Sequence, residues 1–365
     1  MLKKRESSSG FKFDYIAVTT NTFGKGGNYA GAKDEFNDIG TRTAVAGKLI
    51  ETILSDYKKN GWDSGFLLAM PEFLFRPLSG SYSALALGTL SSTLINIITR
   101  ADREGRGLYV LGSILVAERS PTGAPLLINV VPILSAARER GGNLFYKCSY
   151  LYKHQVSGID YLTESGSPRS SVGDRIRIGG GVGTGSMPST YTRGYDSVSG
   201  ELLKLGFINT VPTCIFDGVD GGYKLGIEVC LDHAYGRLAT ECGTTREVGA
   251  HLVVSCGMNL GVRSTPPDAA GTKSCCTVVK GGVSMLCDGM QTGTIALMER
   301  TSSAPVASGF KEKTATEEIK FALDEKTLTE TFGLDASRVS VAEAAECFPG
   351  GFTARIYRDL QWCSS

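Results

Sequence analysis

Cys230 stands in Tyr223-Lys-Leu-Gly-Ile-Glu-Val-Cys230-Leu-Asp-His-Ala, where a run of β-formers gives way to Ala234-Tyr-Gly-Arg-Leu-Ala-Thr-Glu-Cys, which reads as the first turns of a helix. A thiol at a strand-to-helix corner lies near unpaired backbone N–H groups and the positive end of a helix dipole. Both favour the thiolate, the form of cysteine that attacks carbon. A buried cysteine can equally be a small inert hydrophobe, and this chain has ten, so chemistry at Cys230 requires partners. Two residues qualify, each at the end of an apolar run: Glu72, just after Ala69-Met-Pro71, and Lys153, in Tyr150-Leu-Tyr-Lys-His. Side chains at the ends of neighbouring sheet strands converge on one crevice, so residues distant in sequence can meet there. A carboxylate in that crevice can take the thiol proton, pass it to a leaving amine and later activate water. An ammonium beside the sulfur lowers the thiol pKa and, with the backbone N–H of Leu231, faces a developing oxyanion. A buried Lys and Glu also keep each other charged.

Each residue has a plainer reading. Glu72 can cap or pair after a turn proline. Lys147 lies six residues before Lys153, on the same strand face by period two, and Lys153 is preferred because His154 and the turn at Gly158 put it at a strand end. His233 reads as a core histidine holding the corner loop more readily than as a proton carrier.

The elements that must carry these residues follow from hydrophobic periodicity. Residues 1–12 are polar and expected to be frayed. Phe13-Asp-Tyr-Ile-Ala-Val-Thr-Thr alternates like a strand. Residues 38–54 carry apolar side chains at helical spacing, and that helix is expected to end near Asn60-Gly61. Gly65-Phe-Leu-Leu-Ala-Met is wholly apolar, as a strand buried on both faces would be. A second helix is expected over 83–103, strands over 108–117, 126–134 and 144–154, and a Gly/Ser/Arg-rich loop over 165–194. The β-formers of 211–229 break at a Gly/Asp turn over 217–222. His251-Leu-Val-Val-Ser-Cys is a short buried strand, residues 272–300 alternate between helical and strand character, and Phe352-Thr-Ala-Arg-Ile-Tyr is a late strand. Strands and helices alternating without a linker indicate one layered α/β domain over 13–365.

Composition excludes several classes of function. Lys and Arg number 38 against 37 Asp and Glu, with no basic stripe interleaved with aromatics, so nucleic acid is not an expected partner. Only His154, His233 and His251 supply imidazole, and pairs such as Cys275-Cys276 lack C-x-x-C spacing, so neither a metal nor any other cofactor is expected. No apolar run is long enough to span a bilayer and the N-terminus lacks a signal-peptide core, which leads to the expectation of a cytoplasmic protein with reduced thiols.

The order Pro71-Glu72, then Tyr150-Leu-Tyr-Lys153, then Gly226-x-x-x-Cys230-x-Asp232 resembles the nitrilase superfamily of carbon–nitrogen hydrolases. Gly226-Ile-Glu-Val-Cys230-Leu-Asp232-His233 is similar to that family's cysteine motif, and Ser255-Cys-Gly-Met-Asn259-Leu is similar to the segment that closes its pocket. The resemblance spans roughly residues 13–300. It implies a four-layer α-β-β-α sandwich, a homodimer or higher homo-oligomer, and a Glu-Lys-Cys triad of Glu72 as base, Lys153 as cationic stabiliser and Cys230 as nucleophile. Leu231, Asp232, His233 and Asn259 would line the oxyanion site and pocket. The reaction implied is hydrolysis of a small-molecule amide, in preference to a nitrile, through a thioester. Capture of the acyl group by an amine, which would make an acyltransferase, is an alternative, as is a binding or scaffold protein that has lost turnover.

The sequence departs from the family pattern in places. Asp160 and Glu164 are the candidates for the family's second acid, without a matching spacing. Leu231 replaces the usual aromatic after the nucleophile, and Cys275-Cys-Thr-Val-Val-Lys-Gly-Gly is poor material for the family's next helix.

Overall fold

A computed structural model of the chain describes residues 10–22, 30–32, 34–60, 64–119, 125–139, 141–154, 210–211, 213–217, 223–261, 270–290, 296–303, 309–334 and 337–364. Asp160, Glu164, the 165–194 loop and the first nine residues of the expected frayed terminus lie outside them. The first sheet contains β1 (Phe11–Thr20), β2 (Gly65–Met70), β3 (Gly107–Leu111), β4 (Ile114–Arg119), β5 (Pro125–Arg138), β6 (Leu144–Tyr152) and β7 (Thr210–Val211). The second contains β8 (Ile215–Asp217), β9 (Lys224–Val229), β10 (Val248–Ser255), β11 (Val278–Asp288), β12 (Leu297–Arg300) and β13 (Phe310–Glu312). The chain then returns to the first sheet through β14 (Glu317–Phe321) and β15 (Phe352–Trp362), giving the orders β14-β15-β1-β2-β3-β5-β6-β7, with β4 on β5, and β13-β12-β11-β10-β9-β8.

Period-two alternation divides the apolar residues between two cores. Phe13, Tyr15 and Ala17 of β1 and Leu67 and Ala69 of β2 meet Leu225, Ile227 and Val229 of β9 and Ala250, Leu252 and Val254 of β10 between the sheets. The alternate residues, Ile16, Val18, Phe66, Leu68 and Met70, pack outward beneath helices α1 (Glu35–Lys59) and α2 (Ala84–Ala101). The outer face of the second sheet carries three short helices, α3 (Leu231–Ala234), α4 (Arg237–Cys242) and α5 (Ala270–Cys275). This is the α-β-β-α layering expected. A last helix, α6 (Val341–Cys347), packs on α1. Each fully buried Leu or Ile in these layers contributes about 1.5–3 kcal/mol relative to exposure. None of the described helices is long and apolar enough to cross a membrane.

Several expectations are revised, each for a local reason. The single strand expected over 108–117 is two strands, split at Gly112, whose φ of +71° brings its Cα side so close to Pro71 that a Cβ would stand 2.5 Å from the Pro71 carbonyl oxygen. The helix expected after Cys230 is broken at Gly236 (φ +67°) into α3 and α4. Residues 272–300 resolve into the end of α5, then β11 and β12; the two valines and two glycines of 278–282 begin β11. The helix over 38–54 is longer than expected, because Asp34 caps it by accepting from the N–H of Asn37 at 2.8 Å.

Helix α1 also supports the loop that follows β2. Arg42, 1 % exposed, pairs with Asp38 at 2.7 Å and donates to the carbonyls of Leu74 (2.7 Å) and Arg76 (3.0 Å). A fully buried guanidinium needs such partners, and satisfying them pins the segment just after Glu72.

Candidate active site

Glu72 and Lys153 meet. Both side chains are wholly buried, with Lys153 Nζ 2.8 Å from Glu72 Oε1. The same oxygen accepts from Asn129 Nδ2 at 3.1 Å, and the Lys153 N–H donates to the Asn129 carbonyl at 2.8 Å. Two donors on one carboxylate oxygen fix the orientation of the group. Position along β6, not alternation, accounts for the choice of lysine: both lysines share the parity of Leu151, which faces the core between the sheets, but Lys153 stands just beyond the strand end, where it meets Glu72. Lys147, the fourth residue of β6, is exposed.

Cys230 lies immediately beyond β9 and is 8 % exposed. Its backbone has φ +47° and ψ −105°, a conformation that glycine adopts readily and an L-residue only under strain of about 1–3 kcal/mol. Helix α3 spans only four residues, so the full helix dipole expected at this corner is absent. What the corner offers is a strand-to-helix turn that lifts the residue out of the sheet, the geometry seen where a nucleophile is presented at a sharp elbow. The Cys230 N–H donates to the Val254 carbonyl at 2.9 Å, which anchors the turn to β10.

Three hydrogen-bonded ties join the two sheets at these strand ends. The Glu72 N–H donates to the Ser255 carbonyl at 3.2 Å. The N–H of His154, next to Lys153, donates to both carboxylate oxygens of Asp232, at 3.0 and 3.1 Å. Arg237 Nη1 donates to Asp232 Oδ2 and to the Tyr152 carbonyl, both at 3.0 Å. Asp232, completely buried, thus ties the end of β6 to the turn after Cys230. Asp232→Asn is expected to lower kcat about tenfold and to reduce the melting temperature, because one acceptor becomes a donor facing Arg237 and the His154 N–H. Steady-state rates and a thermal melt on the same preparation check both parts.

The remaining expected residues are dispersed. Leu231 begins α3 and is partly exposed, and Asn259 is exposed beyond β10. His233 is buried, and its Nδ1 lies 2.7 Å from Glu228 Oε2 on the outer face of the second sheet. Glu228 also meets His251 Nε2 at 3.0 Å. His233, Glu228 and His251 bring their donor atoms within 4.8 Å of one another, a grouping whose spacing could admit a metal ion. Asn129 is a site neighbour that the sequence reading passed over, although it is the one polar residue in Leu126-Leu-Ile-Asn-Val-Val-Pro. Cys256 is another. It lies within electrostatic range of both Glu72 and Lys153, accepts from the Thr22 hydroxyl at 3.4 Å, and burial pushes its thiol well up. Phe73, at φ +61°, places its ring 5.8 Å from Lys153 Nζ.

The titrating groups around the corner share one sign. Burial, with the nearby Arg237, holds His154 below 6.5, and burial holds His251 below 6.5 against the pull of Glu228. Burial alone would raise Glu228, but hydrogen bonds from His233 and His251 overcome it and hold the carboxylate far below 4.5. In each case the unfolded chain takes up a proton at higher pH than the folded chain. Stability is therefore complete above the unfolded values and falls as pH drops, first below 6.5 and again below 4.5. The urea midpoint should decrease between about pH 8 and about pH 5.5, with a shallower slope in His251→Asn, which has one titrating group fewer.

No family model matches the sequence, and no curated protein sequence matches it. Among solved structures the chain is similar to a double mutant of the amidase from Nesterenkonia sp. AN1 in complex with acrylamide, at 14% identity and a TM-score of 0.38 over 79% of this chain and 81% of that one. It is similar to another mutant of that amidase, described as from the nitrilase superfamily, at 14% identity and a TM-score of 0.37 over 77% and 80%. It is also similar to a carbon-nitrogen hydrolase from Helicobacter pylori G27, at 11% identity and a TM-score of 0.36 over 83% and 80%.

Proposed function

We propose that this chain is a divergent carbon–nitrogen hydrolase of the nitrilase type, cleaving a small-molecule amide through a thioester on Cys230. The observation that carries the reading is the fully buried Lys153–Glu72 pair at 2.8 Å, tied by Asp232 and by the Glu72–Ser255 bond to the corner bearing a strained cysteine. Burying two opposite charges costs several kcal/mol per ion in desolvation, and an apolar pair would fill the space at least as stably. Such a pair, tied through Asp232 and Ser255 to the turn that bears a strained thiol, supports a nucleophilic reading.

On this reading Glu72 takes the proton from Cys230 as the sulfur attacks the amide carbon. Lys153 offsets the carboxylate charge and, with the Leu231 N–H, faces the oxyanion. As the C–N bond breaks, Glu72 delivers the proton to the departing amine, leaving an acyl thioester. Water then gives a proton to Glu72 and attacks the thioester; the carboxylic acid leaves and the thiol is restored. Asn129 fixes the carboxylate through both half-reactions.

Intact-protein mass spectrometry during turnover of an amide panel, quenched in acid, tests the thioester directly. An acyl mass on the Cys230 peptide that hydroxylamine removes supports the reading, and amide turnover with the same acyl mass on another residue overturns it. The same experiment with nitriles, or with an added amine acceptor, separates amidase from nitrilase and from acyltransferase by the product released.

A further inference from the structure

Glu228, two residues before Cys230, is completely buried on the outer face of β9, and among the described residues no Lys or Arg pairs with it. Its carboxylate instead accepts four hydrogen bonds from four separate elements. Oε2 accepts from His233 Nδ1 in α3 (2.7 Å) and His251 Nε2 in β10 (3.0 Å). Oε1 accepts from the Leu238 N–H in α4 (2.7 Å) and the Ser274 hydroxyl in α5 (3.0 Å). Four donors saturate a carboxylate, so protein groups replace its water and keep it ionised.

We infer that Glu228 is a positioning residue for Cys230, fastening the three short helices and β10 to the end of β9 and so holding the strained turn that presents the thiol. The inference rests on the nucleophile assigned above. Helices of four and six residues are too short to hold themselves together, so tertiary bonds must order them. A non-glycine residue at φ +47° persists only where its surroundings over-determine it. Glu228 supplies that on both sides of the turn, through its own strand before Cys230 and through His233 and Leu238 after it.

The hydrogen-bonded form also accounts for the imidazoles better than a bound ion does. With Nδ1–H of His233 and Nε2–H of His251 given to Glu228, the outer nitrogens are bare acceptors, and both are buried without a partner among the described residues. Coordination through the inner nitrogens would move each proton outward, creating two buried donors with no acceptor among the described residues. Metal-bound histidines almost always have that second partner.

The test is the pH profile of iodoacetamide alkylation at Cys230, followed on its own peptide, in wild type, Glu228→Gln, Ser274→Ala and Met298→Ala. Met298 lies in an apolar cluster on the same outer face, so its truncation lowers stability without touching the Glu228 bonds. Glu228→Gln is expected to alkylate about tenfold more slowly at neutral pH, with its half-rise moved upward. Removing a negative charge near a thiol would by itself speed the reaction, so slowing reports lost position and not lost charge. Ser274→Ala, which keeps the charge and loses one bond, should shift the same way by less, and it decides the matter if Glu228→Gln does not fold. Met298→Ala should leave the profile unchanged. A normal low-pH profile in wild type, Glu228→Gln and Ser274→Ala alike overturns the inference and leaves Cys230 as the nucleophile. An ordinary thiol profile in wild type overturns the nucleophile assignment itself. Stoichiometric zinc in the purified protein, lost with Glu228→Gln, also overturns the inference, since coordination would then hold the turn.

Discussion

Cys230→Ala is expected to abolish amide turnover, with kcat reduced by about 10⁵-fold or more, while the protein remains folded. The loss follows because no acyl-enzyme can form, and the other thiols around the site are placed and tuned differently: burial raises Cys256 and Cys287 and so disfavours their thiolates. Cys230→Gly makes a sharper comparison. It removes the same sulfur but is the residue suited to φ +47°, ψ −105°, so it should be equally inactive and about 1–2 kcal/mol more stable than Cys230→Ala. Chemical denaturation of the two variants reads that difference. Equal stabilities would mean that the turn stores no strain, and residual turnover above a hundredth of wild type in either variant would sink the nucleophile assignment.

Breaking the buried ion pair has the second large effect, and it separates stability from activity. Glu72→Gln takes the paired carboxylate from the buried Lys153 ammonium, and Lys153→Met takes the paired ammonium from the buried Glu72 carboxylate. Each single variant should lose about 3–5 kcal/mol, because removing one member of a buried ion pair leaves the other's desolvation uncompensated by it. Each should also lose activity by at least about 10²–10⁴-fold, the contribution of a positioned proton-transfer group. The double variant Glu72→Gln/Lys153→Met, in which neither charge remains, should recover much of the lost stability and none of the activity. A double-mutant cycle in urea gives the coupling directly. If the double variant recovered turnover, the pair would be a structural bridge and the proposed mechanism would fall.

Much of the architecture was legible in the chain because burial writes itself into local pattern. The short apolar runs before Glu72 and Cys230 are β2 and β9, the helical periodicity of 38–54 lies within α1, and that of 83–103 encloses α2. The order Pro-Glu, Tyr-Leu-Tyr-Lys, Gly-x-x-x-Cys marked the three residues on which the proposed chemistry rests. Period and composition act over a few residues, so they can say that a strand ends at Lys153 or Cys230. They cannot say which strand ends share a crevice.

That decision belongs to contacts between residues far apart along the chain. Lys153 pairs with Glu72 across 81 positions, and Asp232 joins the neighbour of Lys153 across 78. No local pattern encodes such meetings; they follow from which strands pair and how the sheets stack. The same cause turned Asn129 from an oddity in an apolar run into a support for Glu72, and took His233 to the outer face with Glu228. Glycine at 112 and 236 broke elements that periodicity alone would continue, because close backbone approach at Pro71 and a left-handed turn before α4 are tertiary demands. The chain by itself determined which chemical groups stand at the ends of buried strands; only the folded sandwich decided which of them touch, because hydrogen bonds and ion pairs depend on distance in space and not on separation along the polymer.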